Sequence, residues 1–341
     1  MVLSLKPTDG RMSTRGLAQW AVEDGWWRPW RLPLVGAPHE PGLALSAQMP
    51  AGVRIEFDTD TDFLDFDISV TASPDLVRDI SAVEVFVDGR LSAREHVHGD
   101  GVVAVRDLGH DKKRVEVWLP HFGVTKVGWF RFRDGSEVTP TAALPIRFVA
   151  YGSSITLCKT ALYPSQTWPA LVARASGWDL CCLGFGGECH LDPAAARYIR
   201  NSAANLIHLC VGINIYSKAS FSERSLVSAL QGFILTIRDG HPAVPIAVTT
   251  PIVSPEREAQ PNAVGWTLGD VRREVARGVM ALRDATGDRN LHVIDGLALL
   301  GPNDVGYLAD GLHPSAEGYR VLAQRLAPRL QDLYPGTGLR P

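Results

Sequence analysis

The feature that most constrains the fold of this chain is a regular alternation of apolar runs and amphipathic segments from residue 145 to residue 333. Near-continuous apolar runs predict strands that are buried on both faces, as in a parallel sheet, and the segments between them have helical spacing. The predicted strands cover 145–151, 179–184, 205–212, 244–251 and 290–295, and the predicted helices lie near 166–176, 193–204, 220–239, 267–286 and 315–333. We therefore predict an α/β domain with a central parallel sheet.

Residues 1–140 have a different pattern, in which short strands are separated by turns. Alternating apolar and polar residues predict strands that are buried on one face. Such strands are predicted at 64–70, 83–87, 113–119 and 126–133. Short strands broken by turns are typical of a sandwich. The sequence therefore predicts two domains, an all-β, jelly-roll-like sandwich over 1–142 and the α/β domain over 143–341.

Composition narrows the class of function. A net charge of −3 and a pI near 6.4 show no excess of positive charge that would favour binding to nucleic acid or to an anionic membrane surface. Residues 1–20 lack the apolar core of a signal peptide, and no run approaches the roughly 20 apolar residues of a membrane helix. The five cysteines contain no Cys-x-x-Cys pair, which predicts buried free thiols. We therefore expect a cytoplasmic protein without a metal or other cofactor.

A candidate nucleophile follows the first predicted strand of the α/β domain, in Gly152-Ser153-Ser154. A serine hydroxyl needs a base to take its proton, and the base needs an acceptor that fixes its tautomer. Near the C-terminus, Asp310 and His313 lie three residues apart on a predicted loop, so the carboxylate can hold one ring nitrogen while the other faces Ser154. Taken alone, either stretch is an ordinary turn or a loop that leads into a helix.

Together with two further stretches, these residues resemble the GDSL, or SGNH, family of serine esterases and acyltransferases. The family has four blocks in a fixed order, and the chain matches them with Gly152-Ser153-Ser154, Cys182-Leu183-Gly184-Phe185-Gly186-Gly187, Val211-Gly212-Ile213-Asn214-Ile215 and the pair Asp310 and His313. The resemblance covers roughly residues 145–335 and implies a three-layer αβα domain. It also implies a catalytic triad and an oxyanion hole, formed by Ser154, His313 and Asp310 and by Ser154, Gly187 and Asn214 respectively.

Two positions depart from the family pattern. Ser153 and Ile215 each stand where an aspartate is usual. In typical members these carboxylates brace the site by hydrogen bonds, so their replacement affects the bracing and not the nucleophile. The rival serine-hydrolase elbow, Gly-x-Ser-x-Gly, does not fit because Thr156 stands at its last glycine.

The resemblance implies two-step acyl transfer from a small-molecule ester or thioester. His313 takes the proton of Ser154, Ser154 attacks the carbonyl, and an acceptor then attacks the acyl-enzyme. Sandwich-bearing members of the family include acyltransferases that tailor polyketides, so our hypothesis is O-acyl transfer to a hydroxyl of a polyketide-like or glycosylated acceptor. Two alternatives stay open: a carboxylic ester hydrolase, with water as the acceptor, and a ligand-binding member without turnover.

Three further residues are candidate substrate contacts. Glu188 and His190 follow the oxyanion glycine, although a structural role on a surface loop is the simpler interpretation of both. Trp266 closes the segment 253–266, which is long enough to act as a lid or pocket wall.

Two groups in the N-terminal domain have a structural and a functional interpretation. Trp26, Trp27 and Trp30 either pack against the neighbouring domain or form an aromatic wall for a sugar or a polycyclic ligand. His96 and His98 fall on one face of a candidate strand, but without a third ligand they predict no metal site.

Overall fold

The computed structural model describes residues 2–34, 40–72 and 82–334. The chain divides into two compact units, which consist of Met1–Leu144 with Ala161–Ser165 and of Pro145–Thr160 with Gln166–Pro341. Among the described residues, no helix is both long enough and apolar enough to cross a membrane.

The N-terminal unit contains the helix α1 and twelve described strands. They are β1 (Val2–Leu5), β2 (Ser13–Arg15), β3 (Gln19–Glu23), β4 (Trp26–Trp30), α1 (Pro41–Ala47), β5 (Arg54–Thr59), β6 (Leu64–Thr71), β7 (Val83–Val87), β8 (Arg90–Glu95), β9 (Gly99–Val105), β10 (Lys113–Trp118), β11 (Val124–Arg133) and β12 (Val138–Pro140). One antiparallel sheet has the order β3-β4-β11-β6-β9, with β1 also paired to β11. The other has the order β12-β5-β10-β7-β8, with β2 also paired to β5.

Alternation of side chains builds the core of this sandwich. In β6, Leu64, Phe66 and Ile68 are fully buried, whereas the polar residues between them are half-buried. Phe57 on β5, in the other sheet, packs edge-on against Phe132 on β11, with ring centroids 5.3 Å apart. The predicted all-β sandwich is thus confirmed, and its core lies between the two sheets.

The expectation that His96 and His98 share a strand face is wrong. Both lie in the connection between β8 and β9, outside either strand. The reason is topological, because β8 belongs to one sheet and β9 to the other, and the chain crosses between the sheets at this point. In the ranges that the structure describes, no group of three or more His, Cys, Asp or Glu residues is placed to hold a metal ion.

The tryptophan cluster lies on β4. Trp27 is buried and packs edge-on against Trp129 on β11, with ring centroids 5.8 Å apart, and Trp30 is buried as well. The guanidinium of Arg28 donates to Glu23 on β3 at 2.6 Å. Packing within its own sheet therefore accounts for Trp27, and both interpretations of the cluster as a whole stay predictions.

The short segment Ala161–Ser165 is part of the N-terminal unit. The backbone N–H of Ser165 donates to the buried carboxylate of Glu84 at 2.9 Å. Arg94 pairs with the same carboxylate at 2.6 Å, and its guanidinium carbon lies 3.4 Å from the centre of the Tyr163 ring. The charge of Glu84 is thus compensated where it is buried.

The C-terminal unit is an α/β domain. Its elements are β13 (Arg147–Gly152), α2 (Ser154–Leu157), α3 (Trp168–Ser176), β14 (Asp179–Gly184), α4 (Pro193–Asn201), β15 (Leu206–Cys210), α5 (Ile213–Lys218), α6 (Leu226–Arg238), β16 (Ile246–Thr249), α7 (Pro255–Ala259), α8 (Leu268–Thr286), β17 (Leu291–Ile294) and α9 (Ala316–Leu333). The five strands are parallel in the order β14-β13-β15-β16-β17.

This strand order fixes the layers. The chain moves from β13 to β14 in one direction and then back past β13 to β15, so right-handed crossovers place α3 on one face and α4, α6 and α8 on the other. In agreement, α3 packs against α9, and α6 packs against α4 and α8. The three-layer αβα fold is confirmed. The reversal of direction at β13 is a switch point, and ligands bind outside the carboxyl ends of the strands at such points.

Local signals explain where the helices begin. Thr267 accepts the N–H of Asp270 and Asp270 accepts the N–H of Thr267, which forms the capping box of α8. Asp192 takes the N-cap position of α4, where its backbone carbonyl oxygen accepts from Ala195 and Ala196 and its side chain makes no capping hydrogen bond. The sequence pattern did not predict α2, α5 and α7, because helices of four to six residues are too short for a periodic signal.

Candidate active site

Ser154 is the first residue of α2, directly after the carboxyl end of β13. Ser153 is the N-cap of this helix, and its hydroxyl accepts the N–H of Ile155 at 3.2 Å. The side chain of Ser154 is nearly buried, with 9% of the residue exposed. Because the first N–H groups of a helix have no partner within it, the N–H of Ser154 is available to a ligand.

Asp310 and His313 lie in a closed loop that leads into α9. The N–H of Ala309 donates to the carbonyl oxygen of His313 at 2.8 Å, and Leu308 and Pro314 form an isolated antiparallel bridge. Ser315 then caps α9, as its hydroxyl accepts the N–H of Gly318 at 3.1 Å. The loop is therefore fixed at both ends.

A chain of hydrogen bonds joins the three residues. Ser154 Oγ lies 2.9 Å from His313 Nε2, and His313 Nδ1 lies 2.7 Å from Asp310 Oδ2. The other carboxylate oxygen accepts the backbone N–H groups of His313 at 2.7 Å and of Leu312 at 3.1 Å. Since a carboxylate only accepts, it holds the proton of the ring on Nδ1 and leaves Nε2 to accept from the serine.

Electrostatics keep His313 neutral. Burial lowers its pKa below the usual value of 6.5, and the hydrogen bond and charge of Asp310 offset part of this effect. The positive charges of Lys159 and Arg257 lower the pKa of His313 further. Burial also acts on Asp310, where it raises the pKa, but the hydrogen bonds from His313 outweigh it and the pKa of Asp310 is below 3.8. At neutral pH the pair therefore consists of a free imidazole base and a carboxylate.

The second block of the motif approaches Ser154 closely. A Cβ on Gly184 would lie 2.2 Å from the backbone nitrogen of Leu157, so only glycine lets β14 pass this close to α2. The N–H of Phe185 donates to the carbonyl oxygen of Gly152 at 2.7 Å. Gly187 has a φ of 77°, and a Cβ on it would meet nothing within 4 Å, so its backbone borders open space.

Asn214 lies in the first turn of α5, which follows β15. Its Oδ1 accepts the N–H of Cys189 at 3.1 Å, and the residue is 7% exposed. Because this hydrogen bond fixes the oxygen of the planar amide, the NH₂ group is oriented away from Cys189 and can donate elsewhere. Ile215 is buried beside it.

The candidate substrate contacts behave differently from one another. His190 is bound within the protein, with Nε2 3.0 Å from the carbonyl oxygen of Gly187 and Nδ1 2.9 Å from Ser220 Oγ. It therefore braces the loop that carries Gly187. Glu188 is half-buried on the same loop, and Trp266 is half-buried at the end of its segment.

The segment 253–266 is tied to the site at two places. Ser254 Oγ donates to the carbonyl oxygen of Gly311, in the loop that carries Asp310 and His313, at 2.7 Å. Asn262 Nδ2 donates to the carbonyl oxygen of Tyr216 on α5 at 3.0 Å. These ties join residues 46 and 57 positions apart, and no local sequence pattern marks them.

The five cysteines are free thiols, and four of them are buried. Cys158 ends α2 in the left-handed region, with a φ of 61°, and its Sγ lies 3.4 Å from the carbonyl oxygen of Ile155. Burial raises the pKa of the Cys158 thiol, so the thiolate is disfavoured. This agrees with the prediction of buried free thiols.

Comparison with known proteins gives the family. Residues 146–331 match the GDSL-like lipase/acylhydrolase family, and residues 12–126 match the family described as the SsfX3 N-terminal domain. The chain belongs to the GDSL-like lipase/acylhydrolase family, as its motifs predict, and is an enzyme of the acyltransferase and esterase class with small-molecule acyl donors and acceptors.

Solved structures are similar over both units. The salicylyl-acyltransferase SsfX3 from a tetracycline biosynthetic pathway is 30% identical, with a TM-score of 0.90 and 97% of each chain covered. A putative GDSL-like lipase from Bacteroides ovatus is 18% identical, with a TM-score of 0.79 and 98% of each chain covered. A family two carbohydrate esterase from Cellvibrio japonicus is 12% identical, with a TM-score of 0.70 and the same coverage. The last two share the fold alone, and no curated protein matches the chain.

Proposed function

We propose that this protein is a serine-dependent O-acyltransferase that carries the acyl group on Ser154 and delivers it to a hydroxyl of a small-molecule acceptor. The observation that carries the proposal is the hydrogen-bond chain from Ser154 through His313 to Asp310, at 2.9 and 2.7 Å. The relative that is 30% identical over 97% of both chains is a salicylyl-acyltransferase of a tetracycline pathway, which supports a polyketide-like or glycosylated acceptor.

In the first step the donor acylates the enzyme. His313 Nε2 takes the proton of Ser154 Oγ as that oxygen attacks the carbonyl carbon of an ester or thioester. The negative charge that develops on the carbonyl oxygen is met by the N–H groups of Ser154 and Gly187 and by the amide of Asn214. The carbon–oxygen or carbon–sulfur bond of the donor then breaks, and His313 gives its proton to the leaving group.

In the second step the acceptor removes the acyl group. His313 takes the proton of the acceptor hydroxyl, the hydroxyl oxygen attacks the acyl carbon, and Ser154 leaves with the proton returned by His313. Asp310 stabilises the imidazolium that forms in both steps and keeps its ring in place. Water in place of the alcohol gives hydrolysis, so transfer requires that the acceptor binds where water would attack.

Intact-protein mass after treatment with a small fluorophosphonate tests the nucleophile. We expect one adduct on the unmutated chain, none on Ser154→Ala, and much slower labelling of His313→Ala. Ser153→Ala is the matched control, because it removes the neighbouring hydroxyl and about 1 kcal/mol of capping but leaves the nucleophile. An adduct that persists in Ser154→Ala would refute the assignment.

Partition of the product tests transfer against hydrolysis. The enzyme is given one acyl thioester and a series of alcohol acceptors, and acylated acceptor and free acid are measured together. Acylated acceptor that rises with acceptor concentration at the expense of free acid supports the transferase. Free acid as the product with every acceptor would identify an ester hydrolase, and binding without turnover that survives Ser154→Ala would identify a ligand-binding member.

A further inference from the structure

Two positively charged side chains belong to segments that are hydrogen-bonded to the loop on either side of His313. Lys159 follows α2, and its neighbour Thr160 donates from Oγ1 to the carbonyl oxygen of Pro314 at 2.5 Å. Arg257, on α7, donates from Nη1 to Ser254 Oγ at 3.1 Å, and Ser254 in turn donates to the carbonyl oxygen of Gly311. The positions before and after His313 are thus each tied to a segment that carries a positive charge.

Neither cation forms an ion pair with a carboxylate in the part of the chain that the structure describes. This sets Arg257 apart from its neighbours, since Arg272 pairs with Glu258 at 2.6 Å and Arg273 with Asp270. Lys159 and Arg257 are both half-buried, where a positive charge without a counter-ion is unfavourable.

The placement of these charges has a consequence for the base. A cation beside His313 opposes the imidazolium that must form in each step. Two such cations therefore slow each step unless their charge is compensated. An anionic group of the substrate that binds to Lys159 and Arg257 compensates their charge and removes this opposition. The same residues then distinguish an anionic substrate from a neutral one.

We infer that Lys159 and Arg257 bind an anionic group of the acyl donor, a phosphate or a carboxylate, beside the acid and base loop. This inference rests on the proposed function, because it gives the class of donor that acylates Ser154. Arginine and lysine are the side chains that bind such oxyanions, the first through its planar fork and the second as a point charge.

Two matched fluorophosphonates test the inference without any need for turnover. One bears an alkyl chain that ends in a carboxylate, and the other bears the methyl ester of the same chain. At low salt we expect Ser154 to be labelled about tenfold faster by the anionic probe, because two half-buried cations each contribute several-fold. Added salt should reduce the preference. Lys159→Gln and Arg257→Gln should each lower the preference to about threefold or less. The rate with the neutral probe should not fall in either variant, because removal of a half-buried cation makes the imidazolium of His313 easier to form.

Two control variants separate recognition of the anion from a structural effect. Arg257→Lys keeps the charge and should keep most of the preference. Arg273→Gln removes a charge at an exposed position on α8 and should leave the preference unchanged. Competition then identifies the anion: pyrophosphate that slows the anionic probe supports a phosphate, and benzoate that does so supports a carboxylate. Protection by neither would overturn the inference.

The outcomes also distinguish this inference from the proposed function. Equal labelling of Ser154 by both probes would overturn the anion site and leave the acyl-enzyme mechanism intact. A preference that survives both glutamine variants would likewise overturn the role of these two residues. Failure of both probes to label Ser154 would instead remove the proposed function, and the inference with it.

Discussion

Replacement of Asp310 by asparagine tests how the base is held. The carboxylate accepts from His313 Nδ1 at 2.7 Å through one oxygen and from two backbone N–H groups through the other. Asparagine can keep the backbone contacts through its carbonyl oxygen, but its NH₂ group then faces Nδ1. The ring must therefore carry its proton on Nε2, where it donates to Ser154 and cannot take the serine proton.

The size of the effect follows from the exposure of Asp310. In a serine enzyme with a buried aspartate, the corresponding change lowers kcat about 10⁴-fold. Here the side chain of Asp310 is 51% exposed, so water screens the lost charge and can solvate the imidazolium. We therefore expect kcat to fall about 10²- to 10³-fold, which corresponds to about 2.7–4.1 kcal/mol of activation free energy.

The assay is steady-state release of the leaving group from an acyl ester, with the thermal unfolding midpoint measured alongside. Asp304→Asn is the matched control, since Asp304 pairs with Arg325 at 2.7 Å and accepts the N–H of Gly301, and none of these hydrogen bonds involves the three residues of the site. We expect its kcat to match that of the unmutated enzyme. If Asp310→Asn keeps more than about a third of the activity, against the loss expected for a wrong tautomer, the reasoning is refuted.

Three further predictions concern the base, the oxyanion site and the packing beneath the nucleophile. Burial lowers the pKa of His313, so this base stays deprotonated into mild acid. In a pH–rate profile, the acid limb of kcat/KM should therefore have an apparent pKa below 6.5, and a midpoint above 6.5 would contradict this. Asn214→Ala should lower kcat about 10²- to 10³-fold with little change in KM, whereas a change confined to KM would mean that the amide contacts the ground state. Gly184→Ala should lower the free energy of unfolding by about 1–3 kcal/mol, since its methyl group would overlap backbone. Its control is Gly232→Ala, exposed within α6, which denaturant unfolding should show to be neutral or stabilising by up to about 1 kcal/mol.

The fold was predictable because each of its layers leaves a local pattern. Apolar runs mark the five buried strands, and the capping box at Thr267 marks the start of α8. The short helices α2, α5 and α7 leave no such pattern, and the connection at His96 was mistaken for a strand because alternation does not reveal where a chain changes sheets. The motif order singled out Ser154 and His313, which are 159 residues apart and share a hydrogen bond; their catalytic role stays a prediction.

What the sequence could not give is the set of contacts that hold these residues. His190 was a candidate substrate contact, yet both of its ring nitrogens are taken up by Gly187 and Ser220. Thr160, which reaches across 154 residues to the carbonyl oxygen of Pro314, gave no signal at all. Such ties join different loops of the sheet edge, and only the folded chain specifies them.

Two aspartates are replaced, and two cations have no carboxylate partner among the described residues; both belong to one electrostatic feature. At position 153 a serine hydroxyl performs the capping that a carboxylate would perform, and at position 215 a buried isoleucine replaces the charge with an apolar contact. Asp310 is then the negative charge that acts on His313, against the positive charges of Lys159 and Arg257. The cap at position 153 is thus kept, the hydrogen bonds of a carboxylate at position 215 are lost, and two positive charges act on His313. On our inference, an anionic donor supplies the negative charge that these departures from the family pattern remove.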